Sequence, residues 1–86
     1  EDTTVLPFTV IERGTRIGRG CTIGPHALLR GATLGDGVVV RSSTVFDSTI
    51  GDDSDAGPYA HLRGGTLVAS GVHVGNYAET KHAQGA

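Results

Sequence analysis

Eighty-six residues carrying a formal charge of −2 make at most one small domain, and that balance gives no electrostatic footing for nucleic acid or an anionic membrane. Fourteen glycines, no Trp, no Met and only four aromatics (Phe8, Phe46, Tyr59 and Tyr77) exclude an ordinary globular core of large side chains. Valine, isoleucine, threonine and alanine are plentiful instead, and they favour extended chain.

Along the chain an aliphatic residue returns about every six positions. The series is Val5, Ile11, Ile17, Ile23, Leu29, Leu34, Val40, Val45, Ile50, Ala56, Leu62, Val68, Val74 and, as its last member, Thr80. Ten of the thirteen steps are six residues and three are five. That is neither the three-and-four spacing of an amphipathic helix nor the 8–12-residue turn spacing of an antiparallel domain. Two residues before each member stands a small one, from Thr3, Thr9 and Thr15 through Cys21 and Ala27 to Val72 and Ala78. Alternation places both on one face of a strand, so each unit presents a small and a medium side chain inward. In six units glycine follows the aliphatic residue (Gly18, Gly24, Gly35, Gly51, Gly57, Gly75), which suits a tight bend or a positive φ. The pattern predicts a solenoid of short strands whose coils stack about 4.8 Å apart in parallel ladders.

No apolar run reaches membrane-spanning length, and Glu1-Asp2-Thr3-Thr4 has neither the basic nor the apolar part of a signal peptide. One cysteine builds no internal disulfide, so a reducing cytoplasm is the expected compartment. Cys21 falls on an inward small position and reads as a buried hydrophobe, not a nucleophile. Gly18-Arg19-Gly20 belongs to the repeat, with no helix behind it to make a phosphate loop.

Four stretches carry a closer likeness: Leu6-Pro7-Phe8-Thr9, Ile17-Gly18 through Gly24-Pro25, Gly57-Pro58-Tyr59-Ala60-His61-Leu62-Arg63, and Gly71-Val72-His73-Val74-Gly75-Asn76-Tyr77 with Glu79-Thr80-Lys81. They resemble the first coils of the acetyltransferase domain in the bifunctional N-acetylglucosamine-1-phosphate uridylyltransferase/glucosamine-1-phosphate acetyltransferase family, which makes UDP-N-acetylglucosamine for the cell wall. The likeness runs over essentially the whole chain. It implies a left-handed parallel β-helix, an exception to the usual right-handed crossover. It also implies three units per coil, hence a little under five triangular coils.

With three units per coil, every third unit lies in one column. The residues after the aliphatic positions then sort into Leu6, Gly24, Arg41, Gly57, Gly75; into Gly18, Gly35, Gly51, Ala69; and into Glu12, Arg30, Phe46, Arg63, Lys81. Two columns are rich in glycine. The third has none and carries charge. Arg63 and Lys81 should be neighbours on adjacent coils, where two cations about 5 Å apart repel by about 1 kcal/mol in water and about 3 kcal/mol at an effective dielectric of 20. One reading is an anion held between them, with arginine as a planar fork and lysine as a point charge. The other is two solvated surface cations, with Glu79 a partial counter-charge. The histidines (His26, His61, His73, His82) show no facing pair for zinc and read as surface residues. His61 should stack against Glu79.

In the resembled family the matching arginine and lysine bind the sugar phosphate, which makes Arg63 and Lys81 the expected substrate-binding residues. The family usually has proline after that arginine; here Gly64 should loosen the loop. The resemblance further implies a piece of a longer enzyme. The catalytic histidine, the tyrosine and asparagine that help hold the sugar, and the acetyl-CoA pocket would follow this segment, and the uridylyltransferase domain with its magnesium would precede it. The expected ligand is a sugar phosphate (glucosamine 1-phosphate or UDP-N-acetylglucosamine), weakly bound, with no acetyl-CoA or magnesium held by this chain. A homotrimer, or end-to-end association through open strand edges, is the expected assembly. Two rivals stand beside this: a structural or engineered solenoid scaffold without activity, and another hexapeptide acyltransferase or zinc carbonic anhydrase of the same fold.

Overall fold

A computed structural model describes residues 2–75 in full and, beyond them, the backbone of two strands at 79–81 and 84–85. The strands are two or three residues long. They run β1 (Thr4–Val5), β2 (Val10–Ile11), β3 (Arg16–Ile17), β4 (Thr22–Ile23), β5 (Leu28–Arg30), β6 (Thr33–Leu34), β7 (Val39–Val40) and β8 (Thr44–Phe46). They continue as β9 (Thr49–Ile50), β10 (Asp55–Ala56), β11 (His61–Arg63), β12 (Leu67–Val68), β13 (His73–Val74), β14 (Glu79–Lys81) and β15 (Gln84–Gly85). Every third strand pairs in parallel with the next, giving three five-stranded sheets: β1-β4-β7-β10-β13, β2-β5-β8-β11-β14 and β3-β6-β9-β12-β15. This is an all-β parallel solenoid of hexapeptide repeats, and the three columns read from the sequence are its three corners.

The inward pairs meet on the axis. Ile23, Leu29, Val40, Val45 and Leu62 are fully buried, with Ala27, Ala32, Val38 and Ala60 filling the gaps between them. The first coil differs. Val5 and Ile11 occupy inward positions yet are 52% and 41% exposed, because among the described residues a coil packs on only one side of them.

The two glycine corners need glycine for different reasons. At the corner after the first sheet, Gly24 and Gly57 have φ of 105° and 110°, a region L-residues avoid. At the corner after the third sheet Gly18, Gly35 and Gly51 carry no such φ. There the next coil comes so close that a Cβ on Gly51 would stand 2.7 Å from the Ser70 nitrogen. Asp36 and Asp52 close this same corner: the amide of Arg19 donates to Asp36 Oδ1 at 2.9 Å, and that of Asp36 to Asp52 Oδ1 at 2.8 Å.

The three five-residue units also have a visible device. In each, a single residue in the left-handed region replaces a two-residue bend: Gly31 (φ 62°), Ser42 (φ 46°) and Asp47 (φ 51°). The inward serine that follows two of them folds back onto the shortened turn. Ser43 Oγ donates to Arg41 O at 2.7 Å and Ser48 Oγ to Phe46 O at 2.8 Å. The sequence marked these serines only as small; buried, they act as turn clamps.

Candidate functional site: the charged corner

The corner after the second sheet is the one free of glycine, so it is where long side chains leave the coil. Glu12 follows β2 and Arg30 ends β5, the two strands pairing Val10↔Leu28 and Ile11↔Leu29. Arg30 pairs with Phe46 on the next coil. One coil further, β11 anchors by Leu62, which is fully buried, and delivers Arg63 to solvent. Arg63 and Lys81 are register partners on adjacent coils. Glu79 is likewise the register partner of His61, as the columns predicted; the side chains of Glu79 and Lys81, and His82, lie outside the described residues.

Local structure fixes the backbone behind Arg63. The hydroxyl of Thr66, fully buried, donates to Arg63 O at 2.7 Å. Gly64 and Gly65 follow with φ of 66° and 79°. Gly64, where the resembled family usually has proline, thus takes part in a left-handed turn that proline, locked near −65°, cannot adopt. Below Arg63 the aromatic ring of Phe46 is flanked twice. The Arg30 Cζ lies 4.0 Å from its centroid, and His61 meets it edge-on at 6.1 Å and 85°. Near the lower end of the column Glu12, Arg13 and Arg30 line an open cleft of about 530 Å³.

The remaining candidates are placed as follows. Cys21 is buried, its Sγ 3.2 Å from Gly35 O. His26 is exposed and stacks on Phe8 with centroids 5.1 Å apart. His73 and His61 fall on different sheets, and His73 Nδ1 lies 2.6 Å from Asp55 Oδ2. Among the described residues no three His, Cys, Asp or Glu side chains gather to hold a metal. The sequence missed the Phe46 platform: an aromatic between Arg30 and Arg63 was visible in the column, but which cation would lie on the ring was not.

Comparison with known proteins agrees with this architecture. The family described as bacterial transferase hexapeptide (six repeats) matches residues 1–31. The bifunctional protein GlmU of Heliobacterium modesticaldum is 48% identical over 80 residues, 93% of this chain and 18% of that protein. This chain is a hexapeptide-repeat region homologous to part of GlmU. The Synechococcus elongatus GlmU is 41% identical over the same share, and that of Clostridioides difficile 37% identical over 95% of the chain. The chain thus spans about 18% of the length of these curated relatives. Among solved structures, the acetyltransferase domain of PglB from Neisseria gonorrhoeae aligns with a TM-score of 0.64 at 24% identity, covering 91% of this chain and 48% of that one. At that identity the likeness is one of fold. Among the described residues no helix is long and apolar enough to cross a membrane.

Proposed function

We propose that this chain is the segment of a glucosamine-1-phosphate acetyltransferase domain that grips the sugar phosphate, working in the cytoplasmic synthesis of UDP-N-acetylglucosamine. The observation that supports this reading most is the pairing of Arg63 with Lys81 on adjacent coils at the corner where side chains project. In this reading Arg63 supplies a planar fork of donors to the phosphate oxygens and Lys81 a point charge on the same group. Their mutual repulsion, about 1 kcal/mol in water at 5 Å, is relieved by the dianion between them. Thr66, clamped to the Arg63 carbonyl, holds the strand end steady for that grip.

Two groups of the parent chemistry lie elsewhere in this proposal. Magnesium belongs to the uridylyltransferase part and acetyl-CoA to further coils of the acetyltransferase part, as the family resemblance implies. The acyl donor and the base that deprotonates the sugar amine would come from other coils, in a trimer whose sites lie between subunits. The 86-residue chain alone should therefore not acetylate glucosamine 1-phosphate, but should bind it weakly. Isothermal titration with glucosamine 1-phosphate tests this: the double substitution Arg63→Ala, Lys81→Ala should weaken binding at least tenfold. Equal affinity in the double variant, or acetyl transfer by the unmodified 86-mer, refutes it.

A further inference from the structure

Arg30 is held in an unusual way for a surface arginine. Its guanidinium carbon lies over the Phe46 ring, 4.0 Å from the centroid, a cation–π contact that uses none of its N–H donors as hydrogen bonds. Among the described residues no carboxylate oxygen lies within salt-bridge distance of Arg30 or Arg13. Both nevertheless line one cleft of about 530 Å³. The nearby acids are Glu12, which also lines the cleft, and Asp47, whose amide donates to Arg30 O at 2.8 Å and whose carboxylate packs against Gly31. A stacked guanidinium has paid part of its side-chain entropy before any ligand arrives. Next to it, Arg13 leaves the coil just before Gly14 (φ 78°), and the Arg13 carbonyl is tied to the Gly31 amide at 3.1 Å. Two guanidinium groups on adjacent coils, one of them pre-set, thus share a concave surface with a single lining carboxylate.

We infer that the Arg13–Arg30 cleft is a second oxyanion site, selective for phosphoryl groups, two coils from Arg63. That separation is about 10 Å along the corner, so the two sites take two phosphoryl groups independently and neither needs the other to fill. Phosphate suits the site better than a halide because the Arg30 rim presents paired, coplanar donors that match two phosphoryl oxygens at once. Phe46 is a positioning residue: it orients Arg30 and touches no ligand. Glu12 opposes the anion, so its charge sets an upper limit on affinity.

A site-resolved titration decides this. The ¹⁵N-labelled 86-residue protein is titrated with inorganic phosphate and, at matched ionic strength, with chloride. Saturable phosphate-specific shifts are expected at the amides of Arg13, Gly14, Arg30 and Gly31. Arg30→Ala should weaken that response about tenfold and leave the amides of Arg63, Gly64 and Gly65 responding as before. Glu12→Gln should tighten it severalfold, an effect of charge that a merely structural role for the cleft does not give. Phe46→Leu should weaken it severalfold, and Phe46→Tyr, which restores a ring, should recover it. Shifts that chloride reproduces, or a response unchanged by Arg30→Ala, overturn the inference. Loss of response at Arg63 alone would count against the proposed sugar-phosphate site and leave this one standing.

Discussion

Replacing Gly57 by alanine tests the claim that the first glycine corner is fixed by backbone conformation and contact together. At φ 110° an alanine leaves the regions open to L-residues, which costs at least the 1–2 kcal/mol of a left-handed residue. Its Cβ would also press on the Arg41 carbonyl oxygen, with Ser43 Oγ at 2.7 Å and the Arg41 carbonyl carbon at 3.0 Å. Arg41 cannot retreat freely, since its own amide is laddered to Ala56 O at 3.0 Å. Overpacking of this kind adds about 1–3 kcal/mol. The sum, about 2–5 kcal/mol, is a large part of the roughly 4–13 kcal/mol available to a chain of this size at the usual per-residue stability. Gly71 is the internal control: its φ is 72° and nothing lies within 4 Å of a Cβ placed there. Gly71→Ala should cost only the conformational part, about 1–2 kcal/mol. Urea unfolding followed by far-ultraviolet circular dichroism reads both. With a slope of about 1–2 kcal/mol/M, the midpoint should fall by about 2 M or more for Gly57→Ala and by about 1 M for Gly71→Ala. Equal losses, or a milder effect at Gly57, would refute the contact argument.

Other expected outcomes follow from burial and hydrogen bonding. Leu29→Ala, at a fully buried site, should cost about 2–5 kcal/mol, whereas Ile11→Ala, one coil below in register and 41% exposed, should cost less than half as much in the same urea assay. Ser43→Ala removes the clamp on Arg41 O and strands the Ala60 amide, which donates to Ser43 Oγ at 3.0 Å; a loss of about 1–3 kcal/mol is expected, and an unchanged melting temperature would refute the clamp. Gly64→Pro, which restores the residue usual in the resembled family, should lower the midpoint, because φ 66° is closed to proline; a rise would show that the turn readily adopts the other conformation.

The fold was legible because a solenoid writes its geometry into one short period. Spacing alone gave the inward pairs; the count of three units per coil came from the family resemblance, and sorting by it gave corners that the strand registers reproduce, down to Arg30 against Phe46 and Arg63 against Lys81. Three things were hidden. The exposure of Val5 and Ile11 depends on what packs beneath the first coil, which a repeat pattern does not encode. The serines at 43 and 48 looked like space-fillers, since a hydroxyl's partner is a carbonyl that sequence does not locate. The two glycine corners looked alike, because absence of a Cβ serves a positive φ and a close approach equally.

That last distinction bears on where binding chemistry is possible at all. One corner is held to glycine at Gly24 and Gly57 by conformation, and another at Gly18, Gly35 and Gly51 by the approach of the next coil. Neither tolerates side chains at those positions without strain, so a ligand-binding ridge has one corner on which to grow continuously. There the strands lengthen to three residues in β5, β8, β11 and β14, carrying Arg30, Phe46 and Arg63 outward at successive levels and placing Lys81 in register with Arg63. The coil spacing then meters the ridge: Arg63 and Lys81 are register partners one coil apart, the spacing at which the proposed function has them share one phosphate, while Arg30 and Arg63, with Phe46 between them, lie two coils or about 10 Å apart, the spacing at which the proposed sites take separate anions. Moving a cation by one coil along this corner should therefore change which anions are shared, and not merely how tightly they bind.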